Sequence, residues 1–458
     1  MTKPAICIVL FSVFTTFFAK AQHDTIIDNK SYIVHTISAN ETLFTISRKY
    51  NIELNKLVVS NPEVIQGLYI GLKLFIPNFN SADKQLKNNN ELSVVESSSK
   101  DENKITLNKN LKLKNNNVDS SEVKVALLLP FYLDLNDSLK ANSNNKQIIY
   151  PKSKVALDFY FGFQLALDSL TKLGYNIDLM LIDIPNDSTF NLILESNILN
   201  DREYIFGPIY IRQFENLAKF YGYDSKKKLI SPLSFMSVKN NFRNVFQVVP
   251  LSNIQISALI EYITNTNIDN DLIIIGHEEE SELISYTKNK LKSKISKIDF
   301  QILTFNKNQL SDRELLKSKL KIDENNIIVP SNDRSFVSRL LPTLGSMEDT
   351  VFNLYGLYTW NRFDNLDYND LVSLNVHLPS LFVDDKSQFY RDFLINYYSK
   401  YFSYPENYAY TAYMQCMYFL SKEFKTLFNF KKAPNTSFKS NTKFNIYRYD
   451  KFDRIKVQ

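Results

Sequence analysis

Glycine is scarce: nine occur in 458 residues, at 67, 71, 162, 174, 207, 222, 276, 345 and 356. None has the GxGxxG or GxxxxGK spacing, so a phosphate-cradling loop of either kind is absent. Histidine is scarcer still, and none of His23, His35, His277 and His377 sits in an HExxH motif. Two cysteines, Cys7 and Cys416, are too few for a zinc knuckle or a disulfide framework. Arginine supplies only 11 of the 54 basic residues and forms no cluster. A nucleic-acid reader gathers guanidinium forks on one face, so no nucleic-acid partner is expected. The longest apolar run, 5–19, is about 15 residues, short of the ~20 needed to cross a bilayer.

What is present is a chain 44% hydrophobic, 14% aromatic and 22% charged, with enough apolar content for two or three compact units. Lys3, the apolar run and Ala19-Lys20-Ala21 have the basic, apolar and small-x-small order of a secretory signal. Residues 1–21 are therefore expected to be a signal peptide cleaved after Ala21. Cleavage leaves one thiol, no internal disulfide and no transmembrane anchor. That thiol, Cys416, lies in the apolar helical stretch 413–418 and reads as core, not as a nucleophile.

Residues 30–78 read as a first domain. Tyr32-Ile33-Val34 alternates as a strand, and 41–50 places Leu43, Ile46 and Tyr50 on one helical face. A second short helix spans 53–60, Asn61-Pro62 ends it, and 72–77 closes as a strand. Tyr32, Val34, Asn40-Glu41-Thr42-Leu43, Ile46, Tyr50, Leu57, Asn61-Pro62, Gly67-Leu68, Gly71 and Ile76-Pro77 together resemble the LysM domain. Asn40-Glu41 stands where that family has Gly-Asp. The resemblance implies a small βααβ module that binds N-acetylglucosamine glycan, chiefly peptidoglycan, between two loops. Carried over, these are Asn40, Glu41, Thr42, Leu43 and Phe44, and Gly67, Leu68, Tyr69, Ile70 and Gly71. Their backbone amides would bond acetamido groups and their apolar side chains would pack on sugar rings. Helical spacing makes Leu43, Ile46 and Leu57 core residues first.

Residues 79–121 show no sustained hydrophobic period and carry Asn88-Asn89-Asn90, Ser97-Ser98-Ser99 and Asn115-Asn116-Asn117. Such a stretch is expected to be a disordered linker, with a typical span of roughly 35–40 Å.

From 122 to 458, strands and helices alternate. Apolar strands are expected at 123–130, 177–184, 204–208 and 229–232, with helices at 156–173 and 211–221 and an Asn- and Lys-rich insertion at 136–150. A second series runs helix 253–264, strand 271–276, helix 279–292, strand 298–305, helix 312–320, strand 326–330 and helix 336–344. Two such runs make an α/β fold of two doubly wound lobes, with ligand beyond the carboxyl ends of the strands. The ordered motifs at 125–131, 159–168, 206–208, 230–234, 246–250, 355–360 and 405–410 resemble the type I periplasmic binding-protein fold of the leucine-binding superfamily. That resemblance implies three crossings between lobes. Lobe one would take about 122–247 plus 388–425, and lobe two about 251–385 plus the C-terminal strands.

Cleft-lining candidates at the strand ends are Phe131, Tyr132, Tyr210, Ser231, Ser234, His277, Glu278, Asn332, Asp333, Tyr358 and Trp360. Amino-acid binders of this superfamily carry small hydroxyl residues after the third and fourth strands. Here Ser231 and Ser234 remain, but Gly207-Pro208-Ile209-Tyr210 is bulky where a serine would serve. Acidic residues at 278–280 and the Ser331-Asn332-Asp333 run read as helix starts. No nucleophile–base constellation or metal set is evident. The expectation is a periplasmic or secreted, wall-associated, non-enzymatic protein without cofactor. Its partners would be peptidoglycan and a small ligand or a cell-wall enzyme; the alternative is the substrate-binding protein of an amino-acid-type uptake system. A wall-hydrolase accessory role is the weakest reading.

Overall fold

The structure, a computed structural model, describes residues 24–27, 30–38, 41, 43–52, 56, 57, 60, 61, 64, 71–77, 122–142, 149–239, 242–266, 272–294, 300–306, 309–311, 313–320, 324–347, 350–381, 387–434, 436–451 and 453–458. The expected signal peptide and linker lie outside the described residues. The chain divides into two compact units. Among the described residues no helix is long and apolar enough to cross a membrane.

The first unit holds a three-stranded antiparallel sheet in the order β1 (Asp24–Ile27), β2 (Lys30–Thr36), β3 (Lys73–Pro77), with a helix at Leu43–Lys49. β1 was not anticipated: its pairing with β2 runs Asp24↔Ile33 to Ile27↔Lys30. Ile37, Ile46, Ile52, Leu57, Val64, Leu72, Leu74 and Ile76 form the core, with Leu43 and Tyr50 half-buried against it. Asn61 pins the sheet from inside. Its Nδ2 donates to the Leu57 and Phe75 carbonyls (2.7 and 2.9 Å), and its Oδ1 accepts from the Phe75 N–H at 2.5 Å. Asn61 is thus more than a helix stop.

The second unit holds two seven-stranded sheets. Lobe one is built on β4 (Val123–Leu129), β5 (Ile177–Asp183), β6 (Tyr204–Phe206), β7 (Lys228–Ser231) and β8 (Val245–Gln247), all parallel, in the order β5-β4-β6-β7-β8. Lobe two is built on β9 (Leu272–His277), β10 (Phe300–Phe305), β11 (Glu324–Ile328), β12 (Val351–Tyr355) and β13 (His377–Ser380), again parallel, in the order β10-β9-β11-β12-β13. The end of the chain then serves both. β14 (Phe430–Lys432) and β15 (Lys439–Asn441) extend lobe one beyond β8, whereas β16 (Asn445–Asp450) and β17 (Asp453–Lys456) add antiparallel strands to β13. The backbone therefore switches sheets three times, after β8, after β13 and after β15.

β4 is apolar from Val125 to Leu129, where all five residues are fully buried, because the strand is flanked by β5 and β6 and covered on both faces; Lys124, nearer its start, pairs with Asp201 instead. The helix Ser153–Lys172 ends where Gly174, at φ +92°, lets the Tyr175 N–H reach back to the Leu170 carbonyl. Asn186 caps the helix Asp187–Glu195 through Thr189 N–H. The expected insertion at 136–150 is corrected at its front: Leu133–Asn142 is a helix. Its start is fixed from afar, because the Asp183 carboxylate accepts the Phe131, Tyr132 and Leu133 N–H groups at 2.7, 3.2 and 2.9 Å.

Candidate functional site

In the first unit Glu41 is committed to its own module. Its carboxylate accepts the Ser38 N–H at 2.8 Å, faces His35 Nε2 at 2.9 Å and pairs with Lys49 at 3.2 Å. His35 Nδ1 in turn meets the Tyr50 hydroxyl at 3.0 Å. Burial raises the Glu41 carboxyl, but the Ser38, His35 and Lys49 contacts outweigh it and hold the pKa down to about 2. Gly71, at φ +96°, turns the chain back onto β2, and its N–H is already spent on the Ile37 carbonyl at 2.8 Å. The Glu41 side chain and the Gly71 N–H thus already have partners within the module. Leu43 leans on the core, and Phe44 lies in the helix. Asn40, Thr42, Gly67, Leu68, Tyr69 and Ile70 lie outside the described residues.

In lobe one the strand ends bring Phe131, Tyr132 and Tyr210 together. Tyr132 takes φ +54°, packs on Tyr150 and hydrogen-bonds Tyr210; burial first and then that bond push its hydroxyl up to about 12. Phe131 is buried edge-on against Tyr160. Tyr210, half exposed, precedes the helix Ile211–Tyr221. Gly207, at φ +89°, is required there, since a Cβ would stand 2.2 Å from the Leu128 carbonyl oxygen. Ser231 ends β7 beside Gln247 of β8. Gln247 donates to the Ser234 and Met236 carbonyls, and Gln415, from the helix Ala409–Leu420, donates to the Pro232 carbonyl. Ser231 Oγ, Gln247 Oε1 and Gln415 Oε1 are all buried without a partner. Ser234 Oγ serves its own turn, accepting the Met236 N–H.

In lobe two, His277 ends β9 and packs on Phe336 with centroids 5.0 Å apart. Residues 278–280 form one 3-10 turn before the helix Ser281–Lys294; Glu278 starts it, and Glu280 Oε1 accepts the Asn332 N–H at 2.9 Å. Asn332 is tied at both ends of its amide, donating to Ser252 Oγ and accepting from Thr359 Oγ1. Asp333 caps the helix Arg334–Gly345 through the Phe336 N–H at 2.8 Å. Trp360 is a correction. It is 2% exposed in the lobe-two core, its ring seated over Gly356 and its Nε1 donating to the Ser331 carbonyl at 2.9 Å. It is a packing anchor inside the lobe, not a cleft-lining residue.

Tyr358 sits where the backbone passes between the lobes. Its N–H donates to Gln255 Oε1, and its ring joins Val249, Leu381, Phe235 and Phe444 in one cluster. Those residues border the sheet-switching segments. Sequence reasoning missed the polar member here, Arg362. From the lobe-two turn Tyr358–Arg362 it donates to the Leu233 carbonyl of lobe one at 2.9 Å. Its guanidinium also lies 5.0 Å from the Tyr358 ring and 5.6 Å from that of Tyr408, which leads into the lobe-one helix Ala409–Leu420. Nothing local in the sequence marked it; only an arginine two residues from a tryptophan in an aromatic turn hinted at it.

Residues 35–77 match the family model of the LysM domain. This segment is a LysM domain. The larger unit resembles solved binding proteins. An ABC transporter substrate-binding protein of Desulfitobacterium hafniense is 12% identical, with TM-score 0.52 over 74% of this chain and 100% of its own. A Rhodospirillum rubrum protein described as a branched-chain amino acid ABC transporter is 13% identical, with TM-score 0.53 over the same shares. A branched-chain amino acid ABC transporter periplasmic ligand-binding protein of Burkholderia xenovorans is 10% identical, with TM-score 0.52 over 73% of this chain and 94% of its own. No curated protein matches this chain. The chain therefore pairs a LysM domain with a type I periplasmic binding-protein fold, α/β with two parallel-dominated lobes.

Proposed function

We propose that this is a non-enzymatic, wall-attached regulatory protein whose LysM domain holds peptidoglycan while the bilobed domain senses a small ligand or docks a cell-wall enzyme. The LysM match carries the wall half of this reading. The other half is supported by Arg362, which joins the two lobes across the hinge with the protein's own atoms, and by the Tyr132–Tyr210 pair crowding the lobe-one strand ends. A carrier must also diffuse to its permease, which a wall attachment hinders. Catalysis has little support: Cys416 is fully buried and burial pushes its thiol well up.

One observation favours the alternative, a substrate-binding protein for amino-acid uptake: the three partnerless buried acceptors Ser231 Oγ, Gln247 Oε1 and Gln415 Oε1. Pulldown on purified sacculi tests the wall attachment. Full-length protein should be retained and a 122–458 fragment should not; equal retention of both refutes it. Thermal-shift screening of the full chain with free amino acids and muropeptides then separates the readings, since stabilisation by a free amino acid selects the alternative.

A further inference from the structure

We propose that lobe two carries a transition-metal site of the zinc class, made by His277, Glu279 and Asp333. β9 and β11 are neighbours in the sheet, so the end of β9 and the segment just beyond β11 meet at one edge of the lobe. His277 closes β9, Glu279 lies two residues on, and Asp333 precedes the helix Arg334–Gly345. Each offers one ligand atom, and all three atoms lie within 4.8 Å of one another.

His277 separates this group from an ordinary acidic cluster. The residue is 2% exposed, and its Nδ1 is buried with no hydrogen-bond partner. Glu279 Oε2 is 3.9 Å from it, too far for a hydrogen bond. A buried imidazole nitrogen facing two carboxylates calls for a cation between them. Two donors that each sit ~2.0–2.2 Å from a metal are themselves up to about 4 Å apart, close to the separation seen here. Glu279, whose side chain is 74% exposed, can close the remaining gap by rotation. The Phe336 ring against His277 holds the imidazole in place. Asp333 caps its helix with Oδ1, and a carboxylate has lone pairs enough to cap and ligate together.

The donor set selects the metal. Imidazole suits zinc, nickel, copper and iron, whereas magnesium and calcium take oxygen ligands. One imidazole and two carboxylates make three protein ligands, which leaves a fourth tetrahedral position for water or an anionic group. The site stands independently of the wall and hinge readings.

The test uses untagged full-length protein stripped with a chelator and titrated with zinc against a competing chromogenic chelator, with magnesium and calcium run in parallel. One equivalent of zinc should bind. Glu279→Ala and Asp333→Asn should each weaken it at least about tenfold. Neither change threatens the fold, because Glu279 is solvent-facing and asparagine caps a helix as well as aspartate; circular dichroism checks this. The proposal is overturned if no stoichiometric zinc binds, if both variants bind as the parent does, or if magnesium or calcium binds the same residues equally well.

Discussion

Gly162→Ala tests how lobe one is closed by a distant helix. Gly162 lies in the helix Ser153–Lys172 where it meets the start of Ala409–Leu420, and a Cβ there would stand 1.8 Å from the Ala409 carbonyl oxygen. Two effects oppose. Alanine gains about 1 kcal/mol of helix propensity over glycine. Against it, the contact must open to at least 3.0 Å, a retreat of more than about 1 Å. The retreating turn is the one that Asp158 holds: its carboxylate accepts the Glu406, Tyr408 and Ala409 N–H groups at 3.1, 2.5 and 3.0 Å. A shift of that size takes such bonds out of reach, and each charged hydrogen bond contributes about 1.5–3 kcal/mol. Loss of two outweighs the propensity gain, leaving a net destabilisation of about 2–5 kcal/mol. The buried Cys416, on the same helix, reports the opening. In a Cys7→Ser background, its labelling by a disulfide reagent should accelerate at least ~30-fold, at 1.4 kcal/mol per decade. Labelling at the parent rate, or slower, would refute the reasoning.

Asn61→Ala removes the partners of the Leu57 carbonyl and of both Phe75 backbone groups, so the LysM domain should lose about 2–4 kcal/mol. Limited proteolysis of the full chain should then cut within 30–77 before the bilobed unit. His377, 4% exposed, has its pKa lowered to about 4, chiefly by burial. The unfolded chain binds that proton at a higher pH than the native one, so stability present above about pH 6.5 drains away as pH falls towards 4, by about 2–4 kcal/mol. Urea midpoints should show this drop in the parent and a flatter profile in His377→Leu.

The two-lobed α/β class was legible because central parallel strands write it as apolar runs: 125–129 and 272–275 are buried almost without exposure. The helices followed from their period. What escaped depends on partners far along the chain. The helix Leu133–Asn142 looks like a polar insertion until Asp183, fifty residues on, takes its first amides. β14 and β15 are three-residue strands rich in lysine that exist only because β8 leaves an edge to fill. At the candidate sites the sequence shows the residue types, and the structure adds their partners. Asn332 ties its amide to Ser252 and Thr359, Asp333 caps a helix and Trp360 donates to a backbone carbonyl, while in the LysM domain Glu41 accepts the Ser38 N–H and Gly71 donates to the Ile37 carbonyl. Arg362, Gln247 and Gln415 matter through contacts reaching from about a dozen to well over a hundred residues along the chain, and no local pattern encodes that.

The late strands set a timetable for synthesis. While the chain emerges, the early sheet keeps an unfilled border until residues 439–441 appear, and the later sheet waits for 453–456. Neither half can complete its hydrogen bonding before almost all of the polypeptide is available. Such pairing across hundreds of residues folds slowly and leaves sticky borders exposed. A holdase that shields nascent strands should therefore raise the yield of this protein more than that of one whose halves are contiguous in sequence.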